Sequence, residues 1–283
     1  GISYEIDTVL TDLPEGTSTL TVDGELIPSA PTSFTGGVLK DKDALMSSLM
    51  PTYNLIDVPN INFNPRSDGL SLPNFYFAPS IAIRKRDVER ILNATDVLGN
   101  VTIEKVAYEL PQILVGDTKN PKTIVFSHYD SIGPGAIDNA SGTAVCLSLV
   151  RERQELLTST LFVFDPNEEL SYDFPTYWGR GYRVFEERYE ALMENAEMLI
   201  AVDCVGNGEP QAIRDPEILK LAFPIRNLDT FKDKTVTIGG DIDKMLDVYQ
   251  SDIDLPELLT EDFLLKTRTL VESLITGKSA VVS

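Results

Sequence analysis

Three short apolar runs in the middle of the chain have the length and composition of buried strands. They cover Thr123 to Ser127, Leu161 to Asp165 and Met198 to Asp203, and each is rich in β-branched, aromatic or aliphatic residues. Polar loops and stretches of helical periodicity separate them. This alternation favours an α/β fold, in which helices connect parallel strands.

Helices are expected on either side of these strands. Gly133, Pro134 and Gly135 interrupt regular structure after the first run, and a helix with an apolar side is predicted to begin at Ala140. Further helices are predicted over Arg84 to Leu92, Phe185 to Asn195 and Glu261 to Thr276. The last of them is amphipathic, so it most simply packs on the sheet.

Residues 1 to 85 have a different character, because Thr, Ser, Pro and Gly are frequent there. Short alternating runs predict short strands joined by turns. Asp41 to Leu49 is predicted as a helix, and Tyr53 to Phe77 has too many Asn, Pro and Gly residues for long regular elements. We therefore expect a β-rich N-terminal subdomain over residues 1–85 and an α/β domain over residues 86–283.

Composition excludes several classes of partner. The 283 residues suffice for a large core, and 44 acidic against 24 basic residues give a formal charge of −20. Such a chain repels nucleic acid and anionic membrane surfaces, so neither is expected as a partner. Cys146 and Cys204 form no metal motif or disulfide framework and are expected as buried thiols. A cytoplasmic location is expected, with a removed leader as the alternative, and the oligomeric state stays open.

Polar side chains follow each of the three predicted strands. Because loops beyond the carboxyl ends of parallel strands form one crevice, these side chains could converge despite their separation along the chain. Imidazole with several carboxylates is a ligand set that suits zinc, cobalt or manganese. The candidate residues are His128, Asp130, Asp138, Glu168, Glu169 and Asp203.

These residues stand in a recognisable order. The pattern His-x-Asp, then Gly-Ala-x-Asp-Asn-x-Ser-Gly, then Glu-Glu, then a strand ending in Asp resembles the zinc exopeptidase family of bacterial leucyl aminopeptidase and aminopeptidase Y, the M28-like peptidases. The resemblance implies a three-layer αβα sandwich with a mixed, mainly parallel sheet, and an aminopeptidase that acts on peptides. By the same resemblance, the N-terminal subdomain would correspond to a reduced form of the protease-associated domain that family members often carry.

The resemblance gives the metal ligands their roles. His128 and Asp203 would bind one zinc ion, Asp138 would bridge it to a second ion, and Glu169 would bind that second ion. Gln250 stands where the family has the second ion's histidine. An amide oxygen is a weak ligand, so the resemblance implies one tight ion and a second that is weak or absent.

Two further carboxylates have implied roles beside the ions. Glu168 would be the general base, which takes a proton from the attacking water. Asp130 would bind the second ring nitrogen of His128 and fix its tautomer. Asp252 or Asp254 could replace the missing histidine, although a solvated turn is the simpler expectation for both.

Other features leave the function open. Ile137 replaces an acid that many relatives carry before Asp138, which makes the surroundings drier. An aromatic cluster after Glu169 either packs the loop or narrows a substrate pocket; it comprises Tyr172, Phe174, Tyr177, Trp178 and Tyr182. A metal-dependent aminopeptidase is the leading hypothesis. A silenced relative that serves as a binding or scaffold module, and an acyl-transfer or cyclising enzyme with one zinc, are the alternatives.

Overall fold

The computed structural model describes residues 2–40, 44–49, 57–72, 76–173 and 176–277. The strands in these ranges are β1 (Tyr4–Val22), β2 (Glu25–Ile27), β3 (Ala30–Pro31), β4 (Gly37–Leu39), β5 (Leu45–Ser47), β6 (Asn60–Phe63), β7 (Ser80–Ala82), β8 (Val97–Gly116), β9 (Thr123–His128), β10 (Thr160–Asp165), β11 (Met198–Val202), β12 (Gln211–Ile213) and β13 (Thr235–Gly239). The helices are α1 (Val88–Asn93), α2 (Ser141–Glu152), α3 (Arg180–Asn195), α4 (Pro216–Ala222), α5 (Leu228–Phe231), α6 (Ile242–Val248) and α7 (Glu261–Thr276).

A large mixed sheet forms the centre of the molecule, in the order β12-β13-β11-β9-β10-β8-β1-β2. Its four middle strands, β13, β11, β9 and β10, are parallel to one another. Strands β8 and β12 join them in antiparallel orientation. The predicted α/β fold with a mixed central sheet is confirmed, as are the three predicted central strands. The sheet was also expected to be mainly parallel, but its described strands form three parallel and five antiparallel pairings.

Helices cover both faces of this sheet, which gives the expected three layers. One buried cluster contains Phe126 of β9 with Phe185 of α3 and Phe223 after α4. The cluster on the opposite face contains Leu149 of α2 and Val271 of α7. The last helix has the predicted bounds, and α2 begins one residue after the predicted start.

A long antiparallel ribbon leads from the large sheet to the N-terminal part of the chain. Strands β1 and β8 pair from Tyr4↔Val115 to Val22↔Val97. The far end of the ribbon packs on a second sheet with the order β3-β7-β6-β5. Residues 1–85 thus contribute strands to both sheets. A domain boundary at residue 85 remains a proposal.

The predicted helix over Asp41 to Leu49 is wrong where the structure describes that segment. Residues Leu45–Ser47 are a strand that pairs in parallel with Ile61–Phe63 of β6, while residues 41–43 lie outside the described ranges. Pairing with a neighbouring strand has overridden local propensity. Within the described ranges, the helices are too short or too polar to cross a membrane.

Candidate metal centre

The carboxyl ends of three adjacent strands bring the predicted residues together. In the parallel register, Asp165 of β10 lies opposite His128 of β9, so the residues that follow β9, β10 and β11 emerge at one edge of the sheet. Glu168 and Glu169 come after β10, and Asp203 comes directly after β11. His128 itself is fully buried.

Asp138 reaches the same edge from the loop before α2. It lies in a distorted turn over residues 136–140, where its own backbone leaves helical geometry, and its peptide bond to Asn139 is cis. Asn139 fastens this turn to the sheet: its Nδ2 donates to the carbonyl of Val202 over 2.9 Å, and its Oδ1 accepts from the backbone N–H of Cys204 at 3.3 Å. These two hydrogen bonds fix the position of the loop relative to the end of β11.

The two nitrogens of the His128 ring face different groups. Nδ1 lies 3.2 Å from the carbonyl oxygen and 3.3 Å from the Oδ1 of Asp130. Nε2 lies 3.4 Å from Oδ1 of Asp138 and 3.3 Å from Oδ1 of Asp203. One ring nitrogen is therefore available for an acceptor that fixes the tautomer, and the other points at two carboxylates.

Two groups of potential metal ligands result, and they share Asp138. One potential ligand atom each from His128, Asp138 and Glu169 lie within 4.8 Å of one another, and the same holds for Asp138, Asp203 and Cys204. The first group is buried throughout. Imidazole nitrogen, carboxylate oxygen and thiol sulfur are all ligands that zinc accepts, so the residues fit a zinc ion.

Asp130 does more than face the histidine ring. Its Oδ1 accepts from the backbone N–H of Glu168 and its Oδ2 from that of Glu169, each over 3.0 Å. One carboxylate thus fixes the loop that carries both glutamates. The sequence pattern showed the His-x-Asp spacing but gave no sign of this second contact.

Gln250 lies in the cluster and contacts Glu169. The Gln250 Nε2 donates to Oε2 of Glu169, and the other glutamate oxygen accepts from the backbone N–H of Ile132 at 3.3 Å. The amide is 4% exposed, and its Oε1 has no hydrogen-bond partner among the described residues. Both oxygens of Glu169 are therefore engaged by N–H donors.

Asp254 is a residue whose part in the site the sequence did not reveal. It is buried, and its two oxygens accept from the backbone N–H groups of Ile137 at 2.9 Å and Asp138 at 3.1 Å. The expected solvated turn is wrong for Asp254, because its carboxylate supports the loop that carries Asp138. Asp252 forms an ion pair with Arg84 instead.

Burial and mutual repulsion shape the protonation of these groups. Burial raises the pKa of Asp138 to about 6. Burial, with the carboxylates of Asp203 and Asp130, also raises the pKa of Glu168 well above its ordinary value. Burial acts to lower the pKa of His128, but the surrounding carboxylates raise it well above its usual value. Such a concentration of negative charge favours a bound cation.

The aromatic cluster joins the loop after Glu169 to the N-terminal part of the chain. The ring of Phe34 lies 5.1 Å from that of Tyr172 and 5.4 Å from that of Tyr177, and it stacks on Phe77 at 5.0 Å. Tyr182 instead belongs to the core beneath the sheet. Phe174 lies outside the described residues.

A mixed α/β sheet with a histidine and several carboxylates at one strand edge fits a metal-dependent hydrolase. Residues 112–222 match the model of peptidase family M28. Over this segment, which is less than half of its length, the chain resembles the M28 peptidases, and this likeness supports a peptidase-like hydrolase. A search of curated proteins found no match.

Solved structures agree in fold. BSAP, a zinc aminopeptidase from Bacillus subtilis, superposes with a TM-score of 0.65 at 16% identity. The match covers 100% of this chain and 86% of the BSAP chain. An aminopeptidase from Aneurinibacillus sp. strain AM-1 has a TM-score of 0.57 at 16% identity. The match covers 99% of this chain and 86% of that aminopeptidase. A peptidase M28 precursor from Shewanella amazonensis SB2B has a TM-score of 0.58 at 13% identity. The match covers 99% of this chain and 85% of that precursor.

Proposed function

We propose that this protein is an aminopeptidase that removes N-terminal residues from peptides, with a zinc ion held by His128, Asp138 and Asp203 and with Glu168 as general base. The observation that carries the proposal is the geometry of the His128 ring. Its Nε2 points at oxygens of Asp138 and Asp203 at 3.4 and 3.3 Å, so the imidazole nitrogen lies close to both carboxylates. When bound there, zinc polarises the scissile carbonyl and makes water a stronger acid.

Glu168 is suited to carry a proton between two substrate groups. Its carboxylate takes a proton from the attacking water and then gives that proton to the leaving amine. Burial, with the carboxylates of Asp203 and Asp130, raises the pKa of Glu168, which lets the side chain hold the proton between the two transfers. Asp130 keeps the glutamate in place through the 3.0 Å hydrogen bond to its backbone N–H.

The charge of the site favours the amino end of a peptide. The charged groups that act most strongly on Glu168 and Glu169 are other carboxylates and His128. One dipositive ion neutralises only part of this charge. The remainder attracts the α-ammonium group of a peptide and repels an α-carboxylate, which supports an aminopeptidase over a carboxypeptidase.

The contacts of Glu169 support a single tightly bound ion. Gln250 supplies an N–H donor to Glu169, where a histidine would offer a lone pair to a metal. To bind a second ion, Glu169 would have to release this donor. Cobalt or manganese can replace zinc with the same oxygen and nitrogen ligands.

Hydrolysis of aminoacyl chromogenic substrates tests the proposal. We expect release from substrates with a free α-amino group, loss of activity on chelation, and recovery with zinc, cobalt or manganese. N-acetylated versions of the same substrates should be inert. Absence of hydrolysis with every metal would refute the proposal and favour a binding module.

The Glu168→Gln variant separates catalysis from metal binding. We expect turnover to fall by about 10²- to 10⁴-fold, the size of a general base contribution, while metal content per chain is unchanged. Glu104 is an exposed residue of β8, and Glu104→Gln makes the same chemical change away from the site. Unchanged turnover in Glu168→Gln would contradict the assigned role.

A further inference from the structure

Cys204 groups with two of the proposed metal ligands although it belongs to none of the sequence motifs. It follows Asp203 at the end of β11, and its Sγ and one oxygen each of Asp138 and Asp203 lie within 4.8 Å of one another. The other cysteine, Cys146, is buried in the apolar cluster between α2 and the sheet. The two thiols therefore have contrasting surroundings.

The backbone fixes the position of Cys204 on both sides. Its N–H donates to Oδ1 of Asn139 at 3.3 Å, and its carbonyl accepts from the N–H of Gly240 at 2.9 Å. Asn139 is the neighbour of Asp138, so the same amide sets the distance between the thiol and that carboxylate. The residue adopts a left-handed conformation with a φ of 52°.

His128 lies beside the two carboxylates that group with the sulfur. Its Nε2 lies 3.3 Å from Asp203 and 3.4 Å from Asp138, the two carboxylates that also group with Cys204. Asp138 and Asp203 thus each lie close to the imidazole nitrogen and to the thiol sulfur. Four such donors are the number that a tetrahedral zinc site requires.

We propose that Cys204 is a ligand of the same ion as His128, Asp138 and Asp203, and that the site therefore selects zinc or cobalt over manganese. This inference rests on the metal site of the proposed function. The thiol releases its proton to solvent as the sulfur binds the ion. Thiolate is a soft donor that zinc and cobalt accept, whereas manganese prefers oxygen ligands.

The sulfur ligand has a consequence for catalysis. With four protein ligands, a zinc ion held here would need a five-coordinate shell to accept water, an expansion that some catalytic zinc sites undergo. The thiolate would also hold the ion when no substrate is present.

Cobalt spectroscopy of the full chain tests the assignment. Cobalt(II) bound to the wild-type protein and to Cys146→Ser should show a near-ultraviolet sulfur-to-cobalt charge-transfer band together with visible d–d bands. In Cys204→Ser the sulfur band should be lost while the d–d bands remain. A sulfur band that survives in Cys204→Ser, or that is missing in the wild type while cobalt is bound, overturns the inference.

X-ray absorption of the wild-type zinc protein gives an answer that needs no variant. We expect a sulfur neighbour at about 2.3 Å in addition to nitrogen and oxygen neighbours at about 2.0–2.2 Å. A shell with only nitrogen and oxygen refutes the role of Cys204 and leaves the proposed metal site standing. Failure of the protein to bind either metal refutes both proposals.

Metal affinity provides a quantitative check. In chelator competition, Cys204→Ser should weaken zinc binding about tenfold or more, since even residues that only support a ligand contribute that much. Its manganese affinity should change less, so the preference for zinc should narrow. Equal losses for both metals would contradict a sulfur ligand and point to a general disturbance of the site.

Discussion

The contact between Asp130 and the two glutamates can be tested by replacing one carboxylate oxygen. Asp130→Asn keeps the shape of the side chain but replaces one carboxylate oxygen with an NH₂ group. Because Asp130 accepts one N–H from Glu168 and one from Glu169, each at 3.0 Å, the amide can satisfy only one of them. The remaining backbone N–H then faces the NH₂ group of the new side chain, which is also a donor.

The size of the effect follows from the hydrogen bonds involved. A backbone N–H left without its acceptor costs about 1–3 kcal/mol, and about 1.4 kcal/mol corresponds to a factor of ten in rate. If the displaced loop carries this cost into the reaction, kcat should fall by roughly 5- to 150-fold. We expect a smaller change in KM, because the contact positions the general base.

Steady-state kinetics at saturating metal is the appropriate assay, with metal content measured on each sample. Asp117 offers a control away from the site, since Oδ1 of its carboxylate accepts two backbone N–H groups, from Lys119 at 3.0 Å and Asn120 at 3.1 Å. Asp117→Asn should leave kcat unchanged. A kcat for Asp130→Asn within twofold of wild type would refute the idea that Asp130 positions the glutamates.

Two other perturbations give clear expectations. Gln250→His should raise bound metal towards two ions per chain, measured by mass spectrometry, because a lone pair replaces the N–H donor to Glu169; Gln211→His, on the exposed strand β12, should not. Burial raises the pKa of Asp165 to about 7, so the metal-free folded state retains a proton that the unfolded state loses. Its unfolding free energy should therefore fall as pH rises from about 4 to about 7, and Asp165→Asn should flatten that slope in urea titrations.

Each of these has an outcome that would overturn it. An unchanged metal stoichiometry in Gln250→His would show that the amide does not occupy a ligand position. A pH slope of the same size in Asp165→Asn would assign the titration to other carboxylates. Asp117→Asn again serves as the control in the pH series.

Local patterns were sufficient to predict the strands that carry the site. The apolar runs of β9, β10 and β11 are continuous and end at polar residues, so their buried position and the direction of their loops follow from sequence. The order of His128, Glu168 and Asp203 along the chain could then be converted into proximity, since parallel strands end at one edge.

Contacts between distant segments could not be predicted in this way. Asp254 accepts from backbone groups of Ile137 and Asp138, more than a hundred residues earlier, and no local pattern encodes that pairing. The helix expected over Asp41 to Leu49 failed for the same reason, since its described part is a strand that depends on β6. Local propensity is a weak guide where a distant partner decides the structure.

The chain contains one histidine, and that residue is His128, fully buried at the centre of the site. Any imidazole resonance in a magnetic resonance spectrum of the untagged protein is therefore assigned before an experiment begins. Titration with metal should move or broaden that single signal, and a bound inhibitor should shift it again. The molecule thus carries an intrinsic reporter of the state of its own site, with no label and no substitution.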